Sequence, residues 1–417
     1  MIIKQEEKKY FEDDIQLGYI VDWKKAFKYF NALGVPENVW TPCHINMNNA
    51  DWFVLLSKRS RGKTTNLLLI GMILNQMYSS VIGYIRTDDT ELTKMYIDEM
   101  FKVIDQYDYI SELTDGRWNG YYYYAKKFYW ANFDEEGKRT ETSQKPFMKC
   151  FPICMSEKTK STLNEPDVIM TIFDEFMKTR YVNDEFISLT QVLSSIRRDR
   201  WNLKCFMPSN LVSPYNQYLE EMDIRDTVLN LGDGQIVYLN ASFGARMYVE
   251  HISVVQAVKN ETIAARIRRM NEKTKEFFGF KNPKLKSIVG GGWQISNYPH
   301  LPRPLEDEKR ELLYRDVYIK FFDKTVCLEL CYSNVRGFYI NARMYFDLIR
   351  DNVFVFTLDP PKNPREFYGF GMYSNNKLCH LIWKTYQDNK FFYATNEVGR
   401  IVEEFVNKYR AERHILR

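Results

Sequence analysis

Nine consecutive residues carry the clearest chemistry in this chain: Ser57-Lys58-Arg59-Ser60-Arg61-Gly62-Lys63-Thr64-Thr65. They follow a short apolar run, Trp52 to Leu56, and precede a segment that is apolar on nearly every side, Thr65 to Tyr78. A strand, a tight loop and a helix in that order build a phosphate cradle. Backbone N–H groups turn inward, and the helix N-terminus adds partial positive charge. In that cradle Lys63 reaches the β- and γ-phosphates, and Thr64 places its hydroxyl on Mg2+. The ligand this implies is ATP with magnesium. The first glycine of the usual loop pattern is replaced by Ser57. Arg59 and Arg61 exceed what a backbone cradle needs. Arg59 suits a γ-phosphate sensor acting within its own subunit, and the alternative is that both arginines face solvent or DNA.

A second apolar run, Val168 to Phe173, ends in Asp174-Glu175. Open α/β sheets bind ligands at the C-terminal edge of their strands. A strand ending there delivers Asp174 to the metal and Glu175 to the attacking water as general base. The same pair could merely cap a helix, but the upstream Gly-Lys-Thr argues for the nucleotide reading. No Asn-Lys-x-Asp signature for guanine is present.

The elements around these residues alternate. Val81–Arg86 and Lys204–Met207 read as further strands, Gly234–Asn240 as one more, and Phe147–Met155 as a return to the main sheet. Helices are expected after Asp22 and over Thr90–Tyr107. This alternation predicts an α/β P-loop domain with a parallel sheet over residues 1–245. A β-hairpin insertion is expected near 116–149, where tyrosines flank Lys126 and Lys127. A basic helical linker is expected over 246–292, and a smaller α+β domain over 293–417. In that domain consecutive strands run through 317–340, a helix covers 342–351, a strand covers Val353–Leu358 and a helix covers Glu397–Arg413.

Bulk properties set outer limits. The chain has 417 residues, 45% hydrophobic and 16% aromatic, with a net charge of only +4. Any nucleic-acid case must therefore rest on local clusters. Seven cysteines, an odd number with no Cys-x-x-Cys pair, signal neither a disulfide framework nor a zinc knuckle. No apolar run approaches bilayer length and the N-terminus is polar, so no membrane span or secretory signal is expected.

These motifs resemble the genome-packaging ATPases of small tailed bacteriophages, the φ29 type, which are related to the large terminase subunits. Four features carry the resemblance: the loop Arg59 to Thr65, the strand end Ile172-Phe-Asp-Glu-Phe176, the cluster Arg197-Arg198-Asp-Arg200, and the strand end Pro208-Ser209-Asn210. The resemblance implies that Ser209 and Asn210 sense the γ-phosphate. It implies that one of Arg197, Arg198 and Arg200 acts on the neighbouring subunit's ATP. It further implies an additional-strand, catalytic-glutamate P-loop fold with an RNase H-like C-terminal domain. The expected first strand of that domain, Val317–Phe322, has Lys320 where a nuclease needs an acid, so a docking role without nuclease activity is expected.

The expected activity is an ATP-driven motor that moves double-stranded DNA into a procapsid. It would work as a homo-oligomeric ring, a pentamer, docked on the viral portal directly or through a packaging RNA, in the cytoplasm of an infected bacterium. Arg266, Arg268, Arg269 and Lys273, with Lys126 and Lys127, are the candidate DNA contacts. The rival readings are another P-loop DNA motor, such as a helicase or DNA-transfer ATPase, and a virion protein with a relict loop.

Overall fold

The computed structural model describes all residues except 1, 11–17, 37–38, 58–60, 155–162, 179–183, 199, 213–215, 242–243, 253–297, 351–352 and 416–417; of 413–415 only the backbone is described. The chain separates into two compact units, one built mainly from residues up to 293 and the other mainly from residues 294–417.

The first unit begins with a two-strand ladder, β1 (Lys9–Tyr10) and β2 (Tyr19–Ile20). Helix α1 (Trp23–Ala32) follows, and the Asp22 side chain accepts the Lys25 N–H at 3.0 Å as its N-cap. The large sheet then forms from β3 (Trp52–Ser57), β4 (Val81–Arg86), β5 (Gly120–Tyr124), β6 (Lys127–Phe133), β7 (Arg139–Thr142), β8 (Met148–Pro152), β9 (Val168–Phe173), β10 (Lys204–Asn210), β11 (Ile236–Asn240) and β12 (Arg246–His251). Its spatial order is β11-β12-β3-β10-β9-β4-β8-β6-β5, with β7 paired to β6. From β12 to β8 neighbouring strands are parallel. At the two margins β11, β6, β5 and β7 add antiparallel pairs.

Burial explains why these apolar runs become central parallel strands. Along β3, Phe53 and Leu55 enter the core on one face, while Val54 and Leu56 enter the core on the other. A strand buried on both faces reads as continuous hydrophobicity. The first face is covered by α1, α2 (Lys63–Tyr78) and α3 (Lys94–Gln106). The second face is covered by α4 (Glu185–Arg197) and the short helix Gln217–Glu221.

The β5–β6 hairpin turns through Ala125 and Lys126, whose φ values are 49° and 60°. Two successive left-handed residues fit the twist of a two-residue hairpin turn, although Asn-Gly is the usual chemistry there.

Strand β10 lies between β3 and β9. The loop strand and the Asp-Glu strand are thus separated by one strand, the additional-strand arrangement. Two sequence expectations change. The linker is expected from 246, yet Arg246–His251 forms β12, which lies in the sheet between β3 and the edge strand β11. Its charged residues, Arg246, Glu250 and His251, masked the strand pattern. The remainder of the expected linker, 253–292, lies outside the described residues.

The second unit carries a sheet ordered β18-β17-β14-β15-β16-β19. Its strands are β13 (Arg310–Tyr314), β14 (Val317–Phe321), β15 (Lys324–Ser333), β16 (Gly337–Met344), β17 (Phe354–Thr357), β18 (Glu366–Tyr368) and β19 (Phe391–Tyr393). β14, β15 and β16 form an antiparallel meander, and β17 and β18 add parallel strands on the far side of β14. That is the RNase H-like order. Helices α5 (Lys377–Gln387) and α6 (Asn396–Ile415) follow β18. The helix expected over 342–351 is absent: Ala342–Met344 extends β16 in register with Val326–Leu328, and the described residues 345–350 are not helical. Among the described residues no helix is long and apolar enough to cross a membrane.

Helix α2 seats tightly on the sheet because residue 71 is glycine. A Cβ there would lie 2.6 Å from Ile82 Cδ1. Gly71→Ala raises helix propensity but overpacks this contact. We expect a net loss of about 1–3 kcal/mol, read as a lower urea midpoint with an unchanged slope.

Candidate functional site

The parallel register brings three strand ends to one edge. Asn210 at the end of β10 lies beside Ser57 at the end of β3. Asp174 and Glu175 follow directly on β9, the next strand. Between them Gly62 caps α2 with a left-handed φ of 75°. A Cβ on Gly62 would also come within 2.9 Å of Val39 Cβ, so both conformation and space call for glycine. Arg61, Gly62, Lys63, Thr64, Thr65, Asp174, Glu175, Ser209 and Asn210 line a single crevice of about 390 Å³. These nine sequence-predicted residues therefore meet in one place. Ser57 lies buried beneath it. Lys58, Arg59 and Ser60 lie outside the described residues.

Lys63 is only 8% exposed. Its ammonium donates to the Ser57 hydroxyl, so the residue that replaces the first glycine offers the lysine an acceptor. Burial pulls the Lys63 pKa down to about 8, partly opposed by Asp174. Thr64 donates its hydroxyl to Asp174 Oδ1 at 2.9 Å, and Tyr84 donates to Asp174 Oδ2 at 3.0 Å. Burial raises the Asp174 pKa, and the Arg86 charge and these two hydrogen bonds work against it. Hard oxygen donors side by side at a phosphate cradle fit Mg2+, which is usually held by one or two carboxylates plus substrate phosphates.

Sequence reasoning missed Arg86, at the end of β4. Its guanidinium donates to the Asp174 carbonyl at 3.0 Å and to Glu175 Oε2 at 2.9 Å. It also reaches Glu91 at 3.2 Å, and Glu91 in turn pairs with Lys178 at 2.6 Å. Glu175 has a left-handed φ of 54°, and its N–H donates to the Pro208 carbonyl at 2.9 Å. The Met177 N–H donates to Ser209 Oγ at 3.2 Å. The segment after Asp174 is thus stitched to β10. A strand ending in arginine beside the Asp-Glu strand was the available signal, but it required knowing that β4 neighbours β9.

A second missed group supports the loop from behind. Trp40 N–H donates to the Arg61 carbonyl at 3.0 Å, and Asn66 donates to the Trp40 carbonyl. The Trp40 indole reaches the buried Glu250 carboxylate at 3.1 Å, which also accepts from Tyr248 at 2.8 Å.

The arginine cluster lies elsewhere. It precedes β10, whose start pairs with the start of β3: Cys205 is beside Trp52. Five residues of strand separate that edge from the crevice, roughly 17 Å at the usual rise. Arg200 is buried, and its guanidinium donates to the backbone carbonyls of Glu165, Pro166, Val168 and Ile196. Its guanidinium is thus bonded to the chain itself. Arg197 and Arg198 are exposed, and each also donates to a backbone carbonyl, of Arg200 and Leu163 respectively. Lys126 pairs with Asp89, and Lys127 is exposed. Arg266, Arg268, Arg269 and Lys273 lie outside the described residues. In the second unit, Glu329 is held by Arg343 at 2.9 Å and Asn341 at 2.8 Å. Among the described residues no group of three or more His, Cys, Asp or Glu is placed to hold a metal.

The fold and this edge define a P-loop protein of the additional-strand type carrying an RNase H-like second unit. No family model matches the chain, and no curated protein matches it. Solved structures do: its structural neighbours are φ29-type packaging motors and large terminase ATPases. The bacteriophage Phi-29 viral genome packaging motor assembly aligns with a TM-score of 0.51 at 16% identity, over 89% of this chain and 99% of that one. The Phi-28 gp11 DNA packaging motor aligns at 0.47 and 15%, over 90% and 98%. The large terminase of the thermophilic bacteriophage D6E aligns at 0.36 and 12%, over 91% and 86%. At 16% identity the likeness to the Phi-29 assembly shows a shared fold.

Two outcomes follow from the geometry. A bound triphosphate will raise the Lys63 pKa above its value of about 8. Above that pH, nucleotide binding will therefore take up a proton, and affinity will fall as pH rises, by up to about tenfold per pH unit. Calorimetry in buffers of different ionisation enthalpy measures the uptake, and its absence at pH 9 contradicts the assignment. Arg200→Ala leaves buried carbonyls without donors. It should lower stability by about 2–4 kcal/mol, seen in denaturant melts of the isolated protein.

Proposed function

We propose that the chain is an ATP-hydrolysing motor that moves double-stranded DNA into a viral shell. The observation that carries this reading is the convergence of Lys63, Thr64, Asp174, Glu175, Ser209 and Asn210 on one crevice at the C-terminal edge of a parallel sheet. Support also comes from the fold, shared along most of both chains with the Phi-29 packaging motor assembly.

In this reading backbone N–H groups of the loop and the α2 N-terminus hold the phosphates, and Lys63 pairs with the terminal ones. Thr64 and Asp174 would hold Mg2+, which would neutralise phosphate charge. Glu175 accepts the proton of the attacking water. Arg86 holds one of its carboxylate oxygens, Oε2. Ser209 and Asn210 respond to the γ-phosphate, and because β10 is tied to the Glu175 segment they are placed to pass that response on. Arg59 acts as a sensor within its own subunit. Arg197 or Arg198, at the opposite edge of the sheet, serves the ATP of a neighbouring copy in a five-membered ring. Arg266, Arg268, Arg269 and Lys273, with Lys126 and Lys127, contact DNA phosphates. The second unit docks the ring on a portal, directly or through a packaging RNA, without nuclease activity. The motor works in the cytoplasm of an infected bacterium.

The test is ATP hydrolysis with and without duplex DNA, beside Glu175→Gln and Lys63→Ala. Wild-type hydrolysis should rise with duplex DNA. Glu175→Gln should keep nucleotide binding and lose about 100-fold or more in rate. Lys63→Ala should lose binding. Wild-type protein that binds no ATP would remove the enzyme reading, and stimulation by single-stranded but not duplex DNA would favour a different DNA motor.

A further inference from the structure

The hairpin insertion carries a surface that the ATP crevice does not use. Strand alternation divides its tyrosines. Tyr121 and Tyr123 point into the first core, where the Tyr121 ring lies 4.3 Å from that of Phe101 and its hydroxyl donates to Asp98 at 2.9 Å. Tyr122 and Tyr124 point the other way and belong to neither core. Tyr124 is 63% exposed. The Tyr122 and Tyr124 rings are 6.2 Å apart and within 6° of parallel. The Arg139 guanidinium lies over the Tyr122 ring, 3.6 Å from its centroid. On the neighbouring strand Lys127 stands opposite Tyr124, and Tyr129 opposite Tyr122.

This face combines flat, parallel aromatic rings with cations. The charges near it are arranged consistently with that. Arg139 and Lys127 lie on the tyrosine face. The Lys149 ammonium, on the strand beside Lys127, pairs with Glu165. Glu141 lies opposite Asn132, on the reverse face, and pairs with Arg117. Asp134, Glu135 and Glu136 sit at the β6–β7 turn, beyond the ring pair. Packing accounts for the inward tyrosines and leaves the outward ones unexplained.

We propose that this face binds a single-stranded nucleic acid. Bases stack on Tyr124 and on the Arg139–Tyr122 pair, and Lys127 and Arg139 neutralise the adjoining phosphates. Unpaired bases are the ligand this geometry fits. Base–aromatic and base–guanidinium stacking needs an open base face, which a duplex hides within its own stack. A row of cations alone would serve a duplex, and the parallel rings would then add nothing. The inference shares Lys127 with the proposed duplex contacts and is otherwise independent of ATP hydrolysis, because none of its residues lines the crevice.

The test uses the full chain and two fluorescein-labelled probes, a 20-nucleotide oligo(dT) and its oligo(rU) counterpart, with an unlabelled duplex as competitor. Anisotropy should report binding to at least one probe, which identifies DNA or RNA as the better source of the strand. The double substitution Tyr122→Ala and Tyr124→Ala should weaken it on the order of tenfold or more. Tyr122→Phe with Tyr124→Phe should restore it, because the ring and not the hydroxyl supplies the surface. Arg139→Ala should weaken binding and flatten its salt dependence. Three results would each overturn the proposal: no binding to either probe, equal binding by the alanine variant and wild type, or equal loss in the alanine and phenylalanine variants. Duplex that competes as well as single strand would also count against it. Thermal melts and ATP hydrolysis of the variants separate these outcomes from misfolding and from failure of the motor reading.

Discussion

Two opposite charges buried in one crevice constrain everything around them. Lys63 and Asp174 are both withdrawn from water. Removing an ion from water is costly unless hydrogen bonds and counter-charge replace the lost solvent. The replacements come from three elements: Ser57 at the end of β3, Thr64 at the start of α2, and Tyr84 and Arg86 on β4. The strands must therefore keep their parallel register, since a one-residue slip would turn these side chains to the wrong face. The burial of charge and the architecture of the sheet are one requirement.

Much of the large unit was legible because buried parallel strands are contiguous apolar runs. Trp52–Leu56, Val81–Ile85 and Val168–Phe173 announce themselves, and the order of loop and Asp-Glu pair follows from chain direction. What could not be read was lateral order. Arg86 becomes informative only beside Asp174, and Glu250 only beside Trp40; both neighbours are far away in sequence. Strand β12 escaped because half its residues are charged or polar, although its Met247, Tyr248 and Val249 are buried. In the second unit, the segment 342–351 reads as a helix in sequence. The ten-residue strand β15 overrides it by offering Ala342–Met344 a ladder to complete.

Arg200 shows how residue type can mislead. Three arginines near a strand end look equivalent in a sequence, and burial distinguishes them. One bonds the carbonyls that flank β9, while two stay exposed at the surface. A guanidinium has several donors in a fixed plane, which suits it equally to phosphate and to a cluster of backbone carbonyls. Context alone decides between those uses.

The glycine at position 71 gives the large unit a mechanical property. With no side chain of its own at residue 71, the α2 backbone rests on the Ile82 side chain of β4, as gears mesh when the clearance is removed. One end of α2 carries Lys63 and Thr64, and the end of β4 carries Arg86. Close-packed interiors have low compressibility and transmit strain. The helix that carries Lys63 and the strand that carries Arg86 therefore share one seating, with little slack between the two walls of the crevice.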